Sequence, residues 1–172
     1  MDKKKVKDVM IPLDEYPKVY ADDSLKDAID ILKSFRTAHE TSRHHHRSLM
    51  VFSKTQKVGN EEKLVGLLSV RDIIAYVKKS TVSLSGVELF AAPWAQFYHK
   101  APVQPHLAEV KVADLIRPLQ EAFVQSNQDV SEALHVMMAK NVNLLPAFEG
   151  KKSVGVVRGI DLLDYILSTF GV

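Results

Sequence analysis

No cysteine occurs in the 172 residues, which removes a disulfide framework, a thiolate nucleophile and any cysteine-held zinc or iron–sulfur site. A reducing cytoplasm is therefore the expected compartment. A long apolar run is missing too: no stretch approaches the ~20 apolar residues of a membrane-spanning helix. Met1-Asp2-Lys3-Lys4-Lys5 leads into Val6-Lys7-Asp8-Val9-Met10 rather than a secretory h-region. Nor does charge of one sign dominate. Lys plus Arg number 23 against 21 Asp plus Glu, a net charge of +2, so the gathered basic face of a nucleic-acid binder is not expected. Neither nucleic acid nor a membrane is an expected partner. No G-x-S-x-G elbow, H-E-x-x-H helix or Walker loop occurs, and these carry the common signatures of catalysis. What is present is a globular composition, 46% hydrophobic and 26% charged. A chain of this length can bury roughly 70% of its unfolded surface.

That composition is organised as an internal repeat. VKDVMIPL, starting at Val6, returns as VADLIRPL, starting at Val112; DDSLKDAIDIL from Asp22 returns as NQDVSEALHVM from Asn127; LVGLLSVRDIIAYV from Leu64 returns as SVGVVRGIDLLDYI from Ser153. Order is kept throughout. The first copy is the longer, and its extra residues lie in the polar stretches HETSRHHH and KTQKVGNEE, which read as loop insertions. The chain divides into a first repeat over 1–80, an aromatic and proline-containing connection over 81–111, and a second repeat over 112–172.

Periodicity changes in a fixed order within each copy. Lys18-Val19-Tyr20 is extended, and Asp22 or Ser24 can cap a helix in which Leu25, Ala28, Ile29 and Leu32 fall at helical spacing. Ser24 and Asp27 make a capping box. Two apolar runs follow, Leu49–Phe52 and Leu64–Leu68, with Gly59 and Asn60 between them, which predicts an antiparallel hairpin with an enlarged loop. A second helix starts near Ser69, with Ile73, Ile74 and Val77 as its apolar face. The second copy predicts strands at Phe123–Gln125, Leu144–Phe148 and Val154–Val157, with helices over 127–140 and 159–167. Each copy is β-α-β-β-α, a small mixed sheet with both helices on one face. The expected fold class is α+β, two pseudo-symmetric repeats packed sheet to sheet to cover their bare apolar faces.

Two such copies, each opening with a DVMxP-like segment (DVMIPL, DLIRPL) and closing with G-h-h-x-x-x-D (GLLSVRD from Gly66, GVVRGID from Gly155), resemble the tandem CBS domain pair, also called a Bateman module. The resemblance covers nearly the whole chain. It implies a regulatory sensor without catalysis and with no catalytic cofactor, binding an adenine nucleotide (AMP, ADP or ATP) or S-adenosylmethionine in clefts between the copies, and often dimeric. A homodimer and an unidentified client protein are the partners it implies.

The closing motif also has a chemistry of its own. Gly66 permits close backbone approach, and the strand feeds straight into a helix N-terminus, whose amides favour phosphate. Ser69 can donate to a phosphate and Asp72 can accept from a ribose diol; the resemblance assigns the pair those roles, with Arg71 beside them. Alternatively Ser69 and Asp72 form only a capping box. In the second copy Arg158 stands at the Ser/Thr position and Asp161 at the acidic one. Arg158 suits a phosphate held bidentately, or a pairing with Glu149 or Asp164. By position, the resemblance places Lys18, Val19, Tyr20, Ser48, Leu49 and Met50 around one adenine, and Phe123, Val124, Asn143, Leu144 and Pro146 around the other. Thr is common in the family where Lys18 and Phe123 stand, and Pro where Met50 stands.

Two further clusters stand out. His39, His44, His45 and His46 suggest a metal, but consecutive histidines cannot all face one ion, and Arg43 and Arg47 beside them favour a solvated basic loop; no metal ligand is assigned. The connection concentrates Phe90, Trp94, Phe97 and Tyr98 before Pro102 and Pro105. These aromatics either anchor a partner or pin the crossover onto the fold. The rival to nucleotide sensing is a ligand-free interaction or dimerisation module.

Overall fold

The computed structural model describes residues 4–38, 47–84, 104–119 and 122–170. The histidine cluster (His39, His44, His45, His46) and the aromatic connection (Phe90, Trp94, Phe97, Tyr98 and Pro102) lie outside the described residues. Strands β1 (Ile11–Pro12), β2 (Lys18–Tyr20), β3 (Ser48–Val58), β4 (Glu61–Ser69), β5 (Arg117–Pro118), β6 (Val124–Gln125), β7 (Leu144–Glu149) and β8 (Lys152–Arg158) alternate with helices. The helices are α1 (Leu25–Ala38), α2 (Val70–Leu84), α3 (Gln104–Glu109), α4 (Val130–Lys140) and α5 (Gly159–Phe170). The strands form two four-stranded sheets, ordered β1-β8-β7-β6 and β2-β3-β4-β5, so the fold class is α+β as the sequence predicts.

The two compact bodies do not coincide with the two linear repeats. Unit 1 comprises Met1–Pro17, Phe52–Val65 and Pro118–Val172; unit 2 comprises Lys18–Val51 and Gly66–Arg117. The opening segment of each copy thus packs with the body of the other. In unit 1, the Val6 amide donates to the Gln128 carbonyl at 2.9 Å and the Lys7 amide to the Ser126 carbonyl at 2.9 Å. β1 pairs antiparallel with β8, Ile11 opposite Val156. Val6, from the amino-terminal segment, is buried in one core with Val124, Val130, Ala133, Met137, Leu145, Ala147, Val157 and Leu162. In unit 2, the Leu25 amide donates to Val110 at 2.8 Å and the Val112 amide to Asp23 at 3.0 Å.

Unit 1 carries the mixed sheet that the repeat predicts. β6 runs parallel to β7, and β7 antiparallel to β8. Leu145 and Ala147 share one face of β7, and both α4 and α5 bury residues against them. At the end of α4, Asn141 adopts φ 51°, and its amide returns to Met137 and Met138. Asparagine tolerates this left-handed conformation, which closes the helix and releases the chain into β7.

Two expectations are corrected. KTQKVGNEE is not a loop: β3 and β4 continue through it and meet at a two-residue turn, Gly59-Asn60, with Gly59 at φ +63°. Gly150-Lys151 closes the second hairpin in the same way, with Gly150 at φ +62°. A left-handed residue at the first central position matches the twist of a tight hairpin. Polarity along the insertion reports exposure, since a ladder satisfies backbone groups whatever the side chains. The second correction concerns α2, where Ile73 is buried at 7% exposure and Ile74 is 59% exposed. Adjacent helical residues point about 100° apart, and in α2 the core lies on the side of Ile73.

Candidate functional site

Each unit contains one of the strand-to-helix corners singled out by the repeat. In unit 2, β4 ends at Ser69 and α2 begins at Val70. The Ser69 amide and hydroxyl both donate to Asp72 Oδ2, at 3.0 and 2.5 Å, and the Asp72 amide donates back to Ser69 Oγ at 3.2 Å. The capping box is formed. The Val70 amide donates to the Arg47 carbonyl at 2.9 Å, which brings the corner against the start of β3. Three of the amides at this helix start, those of Ser69, Val70 and Asp72, are thereby already used, so the seat for an anion is narrower than the sequence alone suggests.

Around this corner, β2 and β4 flank β3. Ser48, Leu49 and Met50 are buried at 8%, 0% and 0% exposure, and Val19 at 1%. Lys18 and Arg71 are exposed, while Tyr20 and Asp72 are half-buried. The structure thus gathers Arg47, Ser69 and Asp72 at one corner, with Ser48 next along the chain, while Leu49, Met50 and Val19 are core rather than open lining. Arg47, whose carbonyl ties the corner together, has no side-chain signal that the sequence could have offered.

The second corner, in unit 1, has the same backbone plan and a different chemistry. Leu144 lies opposite Arg158 across the β7–β8 ladder, and the Gly159 amide donates to the Asn143 carbonyl at 2.8 Å. Asn143, Leu144, Arg158 and Asp161 are brought together. Arg158 Nε donates to Asp161 Oδ2 at 2.8 Å, Nη2 to Oδ1 at 2.5 Å, and the Arg158 amide to Oδ2 at 3.3 Å. The two side chains are 12% and 14% exposed. A planar fork on a carboxylate is a strong, directional pairing, and it occupies both oxygens of Asp161.

The remaining positions of the second set are dispersed. Val124 is 1% exposed and sits in the core, opposite Ala147, about 10 Å along β7 from Leu144 at ~3.3 Å per residue. Pro146 is buried and faces Val156 across the ladder. The Phe123 ring turns to Phe148, edge to face, with centroids 5.6 Å apart. Both rings line an apolar cavity of about 330 Å³ with Val58, Leu64 and Leu119. At its rim Lys152 pairs with Glu61 at 2.5 Å. The hydrogen bond and the charge of Glu61 raise the Lys152 pKa above the ordinary lysine value. Among the described residues no group of three or more His, Asp or Glu is placed to hold a metal, and no helix is long and apolar enough to cross a membrane.

Gly155 opens the second closing motif, and its missing side chain serves the fold. A Cβ there would lie 2.5 Å from the Ile11 carbonyl oxygen of β1. The close approach is to the chain's own backbone.

Comparison with known proteins accords with this architecture. The family model described as "CBS domain" matches residues 6–79 and 112–168. No curated protein sequence matches the chain. Among solved structures, CBSX2 in complex with AMP is similar at a TM-score of 0.64 and 18% identity, covering 96% of this chain and 98% of that one. A CBS domain-containing protein of unknown function from Bacillus anthracis str. Ames Ancestor gives 0.65 and 17%, covering 96% and 94%. The CBS domain of the bacterial CNNM/CorC family Mg2+ transporter in complex with ATP gives 0.64 and 15%, covering 96% and 89%.

Proposed function

The chain belongs to the CBS domain family as a tandem of two repeats, and from that premise we propose that it is a regulatory module that binds an adenine nucleotide, AMP, ADP or ATP, without catalysing its conversion. The observation that carries this reading is the first corner: a hydroxyl and a carboxylate, Ser69 and Asp72, together in the first turn of a helix whose leading amide is tied to Arg47 at the start of β3. A hydroxyl there suits a phosphate and a carboxylate suits a ribose diol. The AMP bound by CBSX2 and the ATP bound by the transporter's CBS domain support the same ligand class. The expected compartment is the cytoplasm, consistent with a cysteine-free chain. The module is expected to dimerise and to act on a client protein. Transmission to that client requires the nucleotide to bind one arrangement of the module more tightly than another.

A thermal-shift series with AMP, ADP, ATP and S-adenosylmethionine tests the reading. Ligand at about 100 times its Kd adds ~2.7 kcal/mol, or several degrees at ~2–4 °C per kcal/mol. Asp72→Ala removes a cap as well as an acceptor, so its shift is read against its own unliganded midpoint, and it is expected to vanish. A phosphate-release assay is expected to stay at background. The formed capping box favours a second reading, a ligand-free interaction module. No shift with any of the four compounds decides for that reading.

A further inference from the structure

We propose that Arg158 closes the second corner on itself, so that the chain takes nucleotide at the Ser69–Asp72 corner and keeps the Arg158–Asp161 corner shut. This inference rests on the nucleotide reading above and concerns which of two equivalent places is usable. The two corners share a backbone plan, yet the group that meets the acidic residue is a neutral hydroxyl in one and a guanidinium in the other. Ser69 Oγ and the Ser69 amide both donate to a single oxygen, Asp72 Oδ2. Arg158 donates to both, Nε to Oδ2 and Nη2 to Oδ1, and its own amide reaches Oδ2 as well.

A ribose diol must use those same oxygens. Its two hydroxyls need two acceptor sites where three of about four are already filled, so to enter it has to displace at least one guanidinium hydrogen bond with a donor that carries no charge of its own. It must also part the guanidinium from Asp161 in a place where both side chains are nearly out of water, 12% and 14% exposed. Solvent therefore does little to screen the pair or to receive the displaced charge. The arginine is also held at its base. It is the last residue of β8, paired with Leu144 in the ladder, and the next amide, of Gly159, is bonded to Asn143. The backbone cannot carry the side chain away without breaking the β7–β8 register. A serine hydroxyl, by contrast, rotates about one bond to accept or donate elsewhere.

Isothermal titration of AMP, ADP and ATP into the full chain, as wild type, Arg158→Ser, Asp72→Ala and the double variant, tests the inference. Arg158→Ser recreates the hydroxyl–carboxylate box of the first corner, so the helix keeps its cap; Arg158→Thr serves if the serine variant melts early. Wild type is expected to bind one nucleotide per chain and Arg158→Ser two, with the second corner tightening on the order of 10- to 100-fold. Asp72→Ala is expected to bind none and the double variant one. Two bound nucleotides in wild type, no gain in folded Arg158→Ser, or weaker binding in that variant because the guanidinium had been holding phosphate, would each overturn the inference while leaving the nucleotide reading intact. Absence of binding in all four proteins would instead defeat the nucleotide reading, and this inference with it.

Discussion

At the scale of single residues, what could be read in advance was what acts locally. Ser24 and Asp27 form their box, the Ser24 amide donating to Asp27 Oδ2 at 3.1 Å and the Asp27 amide to Ser24 Oγ at 3.1 Å, and Ser69 with Asp72 repeats it. Such pairs are legible because three residues of helix bring them together without help from the rest of the chain. Arg158 was legible only as a departure from the pattern. Its partner, Asp161, is local too, but a long side chain has several acids in reach, and burial decides among them. Gly155 belongs to a different case, because its requirement comes from a strand far away in sequence. Gly155→Ala would place a Cβ 2.5 Å from the Ile11 carbonyl oxygen, a backbone atom that cannot swing aside. The substitution is expected to cost about 1–3 kcal/mol, read as a lower urea midpoint with an unchanged slope.

Among elements, the strands and helices that the repeat predicts appear in the predicted order, whereas β1, β5 and α3 were not predicted, and extent and facing departed from the pattern. β2 occupies Lys18–Tyr20 as expected, whereas β3 and β4 run on through polar residues to a turn at Gly59. Alternation is a signal of a half-buried strand; a strand exposed on both faces carries none. Helix α2 exposes Val70 and Ile74, and helix α5 exposes Ile160, Leu163 and Leu167. The last three fall at i, i+3 and i+7, one stripe of the helix. Large apolar side chains in such a stripe favour association over solvent, and these faces are where the proposed dimer would form. Ile74→Glu and Leu163→Glu, each at a position already in water, are expected to leave folding within about 0.5 kcal/mol. Sedimentation velocity is expected to show both moving a dimer toward monomer, and a wild type that is monomeric at every concentration would remove the dimer from the proposal.

For the whole molecule, the exchange of opening segments is the feature with the widest reach. Val6 is fully buried in the core built by α4, α5, β7 and β8, and Lys5 pairs with Asp129 at 2.7 Å. Val6→Asp would bury an unpaired charge there, at a cost of several kcal/mol. Hydrogen exchange is expected to show protection lost first in α4, β7 and β8, which the linear repeats assign to the other copy, and only later in α1. Loss confined to α1 and β2 would contradict the exchange. Periodicity and short-range spacing determined the repeat, the β-α-β-β-α order within each copy, the local caps and the two corners, because each depends on residues a few positions apart. Tertiary structure alone decided which opening segment serves which body, why Gly155 has no side chain, which isoleucine of α2 faces inward, and that Asp161 is held by Arg158. Each of these turns on a contact or a burial that local spacing does not encode, since a residue's pattern states what it can pair with and only packing selects the partner.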